Sequence, residues 1–303
     1  MTTPTPTRAA LAATTTALLL ASLAACSSND SATQAGSVPV AVLSSAAPAA
    51  APPAADVSKA CTGEYTFNRA VQTEMPFPQG EEPTAQETAA VKAFATDRLA
   101  PLTQDIVANA PASVAGAAGV LASDVSALVN TGDLSTWTST DHGTYAHYTA
   151  VALGLLPSCG RVVDVHAAEF RFTGLPTELT PGPVRFHVIN DGHDAHEFFV
   201  IRLADDDHRT TEEIAAIAPD NLEKTLDPKN GGEAYTFPAG TTADEAVLSL
   251  DLTPGNYLVL DTSPVGTTDD NTDGSGPPHY AKGMIAEFTV TGPSADPAAG
   301  AGK

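Results

Sequence analysis

The sequence predicts an α+β multidomain protein in which an N-terminal, disulfide-closed α-helical bundle precedes a β-sandwich. Three observations carry this expectation. Apolar residues recur at helical spacing up to about position 156 and at two-residue spacing from Val162 onward. Cys61 and Cys159 bracket the helical part and remain an even pair once Cys26 is set aside, in a chain that reads as exported to where disulfides persist. About seven strand-like runs, punctuated by turn residues, fill roughly 130 residues, the size and spacing of a sandwich.

The composition narrows the function. At 303 residues, 43% hydrophobic and 17% charged, the chain is longer than one ordinary domain and globular in character. Its net charge of -22, with only 14 Lys and Arg spread along the whole length, excludes nucleic acid as a partner. The same charge repels anionic headgroups, so attachment to a membrane must be covalent or through an inserted segment.

Residues 1–25 read as a lipoprotein signal peptide: Arg8, a mostly apolar run from Ala9 to Ala21, then small residues before a cysteine. The run falls short of the ~20 residues of a comfortable span, so a retained membrane helix is the alternative to an export signal. Leu23-Ala-Ala-Cys26 resembles the bacterial lipobox. That resemblance implies diacylation of Cys26 and a lipid anchor in the bacterial cell membrane, outside the cytoplasm; the alternative is a plain secretory signal with an incidental cysteine. Residues 26–56 are almost entirely Ser, Ala, Thr, Pro and Val and form a disordered tether with a reach of roughly 30 Å.

Residues 57–160 form the helical domain. Thr84-Ala-Gln-Glu87 is a capping box, followed at helical spacing by Val91, Phe94 and Ala95. Pro101 is expected to break or restart this helix. Further helices are expected over 113–128, ended by Asn130-Thr-Gly132, and over 141–156, ended by Pro157. A Cys61–Cys159 bridge would close a loop of nearly 100 residues and contribute about 4.7 kcal/mol in the chain-entropy model. His142 and His147, five apart, point about 140° away from each other on a helix and read as surface or packing residues.

Residues 161–292 form the sandwich and 293–303 a disordered tail. Two-residue alternation marks strands over 163–172 and 184–190, separated by Thr180-Pro-Gly-Pro183. His166 and His187 within them read as packed or solvent-facing. Another strand covers 198–202, and Thr210-Thr-Glu-Glu213 caps a short inserted helix. Strands over 246–252, 257–260 and 285–291 complete the set.

The ends of these strands carry metal-ligand types. Asn190-x-Gly192-x-x-x-His196 leads into Phe198-Phe-Val-Ile. Thr253-Pro-Gly255-x-Tyr257 runs on to Asp261. His279-x-x-x-x-Met284 precedes the last strand. In their order and spacing these three fragments make the region from Arg161 to Gly292 resemble the cupredoxins, Greek-key β-sandwiches that bind copper at one end. The resemblance implies a metal site at His196, His279, Met284 and Asp261. Asp261 stands where the family has its cysteine ligand. Without a thiolate no intense blue band is expected, and a carboxylate favours Cu(II) over Cu(I). The loop over 262–278 is longer than the family's usual ligand loop.

Three readings follow. The domain binds copper or another divalent metal at a non-blue site; or it is a metal-free interaction module with a protein partner in the envelope; or it exchanges electrons with a redox partner, or serves metal uptake, through an unusual centre. His193 is an alternative ligand. Asp269-Asp-Asn271-Thr-Asp273-Gly274 opens like a calcium loop but has Tyr280 at the twelfth position, and otherwise reads as a solvated acidic loop. Asp205-Asp-Asp207-His208 reads as a charged turn. No nucleophile elbow, phosphate loop or His-Glu-x-x-His helix is present in the sequence, so no enzyme activity is expected.

Overall fold

A computed structural model describes residues 55–78, 82–135, 137, 143–226, 231–241, 243–268, 271 and 274–292. The signal peptide with Cys26, nearly all of the tether, the tail, His142, Asp269, Asp270 and Asp273 lie outside the described residues. Helices and sandwich belong to a single compact unit, Pro52–Lys303. Among the described residues no helix is long and apolar enough to cross a membrane.

Five helices precede the sheets: α1 (Val57–Glu74), α2 (Ala85–Phe94), α3 (Ala100–Asn109), α4 (Ala115–Thr131) and α5 (Thr144–Leu155). The capping box opens α2 as read, with Glu87 N–H donating to Thr84 Oγ1 at 3.2 Å and Thr84 N–H to Glu87 Oε2 at 2.8 Å. The α-helix restarts around Pro101, which stands in the first turn of α3. A π-helical turn, Ala95–Leu99, joins α2 to α3, and its wider ring carries the backbone past a residue that has no N–H to donate. Phe67, Leu99, Ile106, Leu121 and Leu155 are fully buried in one cluster. Phe67 stacks on Tyr148 with centroids 5.6 Å apart and on Trp137 at 6.3 Å. The Cys61–Cys159 disulfide ties α1 to the turn after α5, with Cα atoms 5.4 Å apart.

Nine strands follow: β1 (Val162–Ala168), β2 (Arg171–Thr173), β3 (Glu178–Leu179), β4 (Gly182–Asn190), β5 (His196–Arg202), β6 (Gly231–Thr236), β7 (Glu245–Leu252), β8 (Gly255–Leu260) and β9 (Ile285–Val290). They form two sheets, β2-β1-β4-β7 and β3-β9-β8-β5-β6, with β1 parallel to β4 and β3 parallel to β9. The run expected as one strand over 163–172 is the hairpin β1–β2, because Phe170 takes a left-handed φ of 67° at the turn. Val165, Phe186, Val188, Phe198, Val200, Leu248 and Val259 fill the space between the sheets. Tyr257 OH fastens the turn before β8, accepting from Thr253 N–H at 2.9 Å and donating to Thr253 O at 3.0 Å. The inserted segment forms α6 (Thr211–Ala215) and α7 (Pro219–Thr225), which cover the outer face of the five-stranded sheet through Ile214, Leu222, Ile201 and Leu258.

The helices close the side of the sandwich where β6 and β7, one edge strand of each sheet, would leave backbone groups unpaired. Gln72 of α1 acts as a surrogate strand for β6, donating to Glu233 O at 2.9 Å and accepting from Glu233 N–H at 3.2 Å. Tyr145 OH of α5 accepts from Tyr235 N–H at 3.0 Å. On β7, Ser249 N–H donates to Asn68 Oδ1 at 3.1 Å. At the centre of this contact Arg185 of β4 meets Glu64 of α1, with side chains 6% and 0% exposed.

Candidate metal centre

Strand order brings the site together. β8 lies between β5 and β9, so the start of β5, the residue after β8 and the turn before β9 share one end of the sheet. Those positions hold His196, Asp261 and His279. The long loop over 262–278 does not carry His279 away, because it folds back on itself: Val265 N–H bonds Pro277 O at 3.0 Å, His279 N–H bonds Ser263 O at 3.0 Å and Tyr280 N–H bonds Asp261 O at 2.9 Å. His279 then opens a 3₁₀ turn, His279–Lys282.

His196, Asp261 and His279 are each 0% exposed, and one ligand atom from each lies within 4.8 Å of the others. A hydrogen bond of 2.8 Å joins His196 Nδ1 to Asp261 Oδ2, while His279 Nδ1 lies 3.3 Å from the same oxygen without bonding geometry. The imidazole centroids are 4.8 Å apart at 62°. Asp261 Oδ1 accepts from Ser263 N–H at 2.8 Å. Burial alone would raise the Asp261 carboxyl, but the bond from His196 and the close approach of the His279 imidazole hold it below the usual carboxylate range. Burial likewise opposes charge on His279, and is outweighed by Asp261 and Asp194, which lift it above the ordinary histidine range.

Met284 joins this end through its backbone, its N–H bonding His279 O at 3.1 Å and its carbonyl accepting from Asp261 N–H at 3.2 Å. Its side chain is fully buried in the sandwich core. His193 is exposed, because β5 begins only at His196. The remaining described histidines bind nearby acids instead: His147 with Asp124, His166 with Asp191 and His187 with Asp164. His208 is exposed, and its acidic neighbours Asp205 and Asp207 pair with Arg202 and Arg209.

Two acids escaped the sequence reading. Asp194 Oδ2 lies 3.1 Å from His279 Nε2 and accepts from Gly266 N–H at 2.7 Å, fastening the loop over the site. Glu169 accepts from the backbone N–H groups of His193 and Asp194. Asp194 stands two residues before His196 and carried a signal in hindsight; Glu169, in the β1–β2 turn, carried none.

Fit to a cation rests on the side of the rings that faces Asp261. His196 Nδ1 and His279 Nδ1 lie 2.8 and 3.3 Å from the same Asp261 oxygen, and His279 Nδ1 is buried without a hydrogen-bond partner, a condition that an ion between them relieves; His196 Nε2, also unpartnered, turns the other way, toward Gly192. Imidazole nitrogens with a carboxylate suit Cu(II) and Zn(II), and the set lacks the thiolate of a blue centre. Gly192 enforces the packing here: a Cβ at this position would lie 2.7 Å from His196 Nε2 and 2.7 Å from Glu169 Oε1. Gly192→Ala is accordingly expected to lower stability by about 1–3 kcal/mol, the cost of overpacking, as read from the denaturant midpoint. An unchanged midpoint would show that the imidazole does not press against this turn.

No protein-family model and no curated protein matches the chain. Among solved structures, auracyanin B is 21% identical, with 44% of this chain and 90% of that one aligned at a TM-score of 0.28. Auracyanin A of Chloroflexus aurantiacus, described as a "blue" copper protein, is 14% identical over 43% of this chain and 98% of its own, at a TM-score of 0.26. Rusticyanin of Thiobacillus ferrooxidans is 19% identical over 44% and 79%, at 0.23. At these TM-scores the similarities add no weight to the site, which stands on its own distances.

Proposed function

We propose that this protein is an extracytoplasmic lipoprotein whose cupredoxin-like domain binds copper(II), or another divalent metal, at a non-blue centre for metal handling or storage. The observation that carries it is the fully buried His196–Asp261–His279 group, in which both Nδ1 atoms face one carboxylate oxygen and that of His279 lacks a hydrogen-bond partner. His196, His279 and Asp261 would hold the ion, with the Met284 thioether as a further donor. Bound there, the metal would supply a centre of nitrogen and oxygen donors that favours the oxidised state. Asp194 orients His279 from its far side, as outer partners of metal-binding histidines do. The role is binding rather than catalysis, with a protein of the envelope as the partner that delivers or receives the metal.

The disulfide supports an oxidising compartment. Cys26 would anchor the chain, and Cys26→Ala is expected to release it from membranes into the soluble fraction; unchanged retention would reject the lipid anchor.

Calorimetric titration of the purified protein with Cu(II) and with Zn(II) tests the centre. One saturable site is expected, weakened at least tenfold in His196→Ala and in His279→Ala. No saturable binding, or equal affinity in both variants, overturns the reading. A metal-free network is the second reading, favoured by the bonds of 2.8 Å from His196 to Asp261 and 3.1 Å from His279 to Asp194. It expects no saturable binding.

A further inference from the structure

A cavity of about 870 Å³ lies on the outer face of β5 and β6, roofed by α1, α5 and α7. Strand alternation separates it from the metal centre. On β5, Phe198 and Val200 pack into the core between the sheets, while Glu197 and Phe199 line the cavity. The register pairs Glu197 with Tyr235 and Phe199 with Glu233. The two carboxylates are therefore diagonal neighbours on one wall. Glu197 is only 8% exposed and accepts from Thr262 N–H at 3.2 Å and from Thr262 Oγ1, whereas Glu233 is exposed. Trp137, Tyr145, Tyr235 and Phe199 supply aromatic rings. No lysine, arginine or histidine lines the cavity among the described residues.

We propose that this cavity binds a small organic cation, an ammonium group carried on an apolar or aromatic body. The volume is that of a small-molecule site, and the walls combine aromatic and aliphatic side chains with polar groups. Glu233 and several ring faces attract positive charge, with the buried Glu197 beside it as a hydrogen-bonding group, while no basic side chain in the described lining compensates an anion. The cation and the metal use opposite faces of β5, so the proposal does not depend on metal binding.

Trp137 is the one tryptophan in the sequence and sits in the cavity wall, so its fluorescence reports occupancy directly. The full-length protein, held in chelator to exclude metal effects, would be titrated with phenethylamine and with its neutral counterpart phenethyl alcohol. The amine is expected to give a saturable change and to bind at least tenfold more tightly than the alcohol. Glu233→Gln and Glu197→Gln should each weaken the amine at least tenfold and leave the alcohol unaffected. Glu233 is exposed, so its variant decides the matter even where Glu197→Gln fails to fold by circular dichroism. Absence of saturation, equal binding of amine and alcohol, or an unchanged affinity in Glu233→Gln overturns the proposal.

Discussion

Arg185→Ala is expected to cost about 3–5 kcal/mol of unfolding free energy, because it leaves a carboxylate buried without its partner. Arg185 Nε donates to Glu64 Oε2 at 2.9 Å, while its terminal nitrogens donate to Cys159 O at 2.8 Å and Cys61 O at 2.7 Å. One guanidinium thus holds the helices, the sandwich and both ends of the disulfide together. Glu64 also accepts from Tyr148 OH at 2.7 Å and Ser249 Oγ at 3.2 Å, so removing the cation strands a fully buried anion with two neutral donors. Glu64→Ala should cost a similar amount by stranding the cation. Replacing both with apolar residues should cost much less than the two single losses added, since neither charge is then left alone. Denaturant melts followed by circular dichroism and Trp137 fluorescence check this. A loss under about 1 kcal/mol in Arg185→Ala would mean that the pair behaves as an exposed surface bridge.

The second large effect is spectroscopic. Asp261→Cys is expected to turn the copper form intensely blue, whereas the parent protein with Cu(II) stays pale and gives the paramagnetic resonance of a nitrogen and oxygen centre. Asp261 Oδ2 lies 2.8 Å from one imidazole nitrogen and 3.3 Å from the other, so a cysteine at this position sets its sulfur beside both rings. Thiolate with two histidines is the donor set of a blue centre. Cys61 and Cys159 are paired, so neither competes for the metal. A copper-loaded variant without the band would place Asp261 outside the ligand set, and a blue parent would contradict the carboxylate's role.

Most strands were legible because two-residue alternation is a local pattern, as in β4, β7 and β9. His196, Asp261 and His279 were legible through the resemblance of their flanking fragments to the cupredoxins, and they stand at strand ends. Helix α1 was not legible as an element. Its buried stripe includes Glu64 and Asn68, polar residues that blur the apolar period and find their partners on α5 and on strands, 84 or more positions away. β6 escaped because it opens with Gly231-Gly232, which reads as a loop. At Gly231 a Cβ would come within 1.8 Å of Val200 O, so the pairing with β5 requires glycine. Asp194 reaches His279 only through the folding of two loops, and the cavity joins surfaces from both halves of the chain. Neither leaves a periodic trace.

Covering the edge strands with helix side chains also bears on the order of assembly. Gln72 and Glu233 are 161 positions apart, and Asn68 and Ser249 181. Contacts of such range form slowly, and a sandwich waiting for them exposes open strands to neighbouring chains. Here the cover lies N-terminal to what it covers. Synthesis runs from the N-terminus, so α1 and α5 have emerged before β6 and β7 exist. The vulnerable edges therefore form in the presence of their own shield, and a version of this sandwich begun at Arg161 would be born without it.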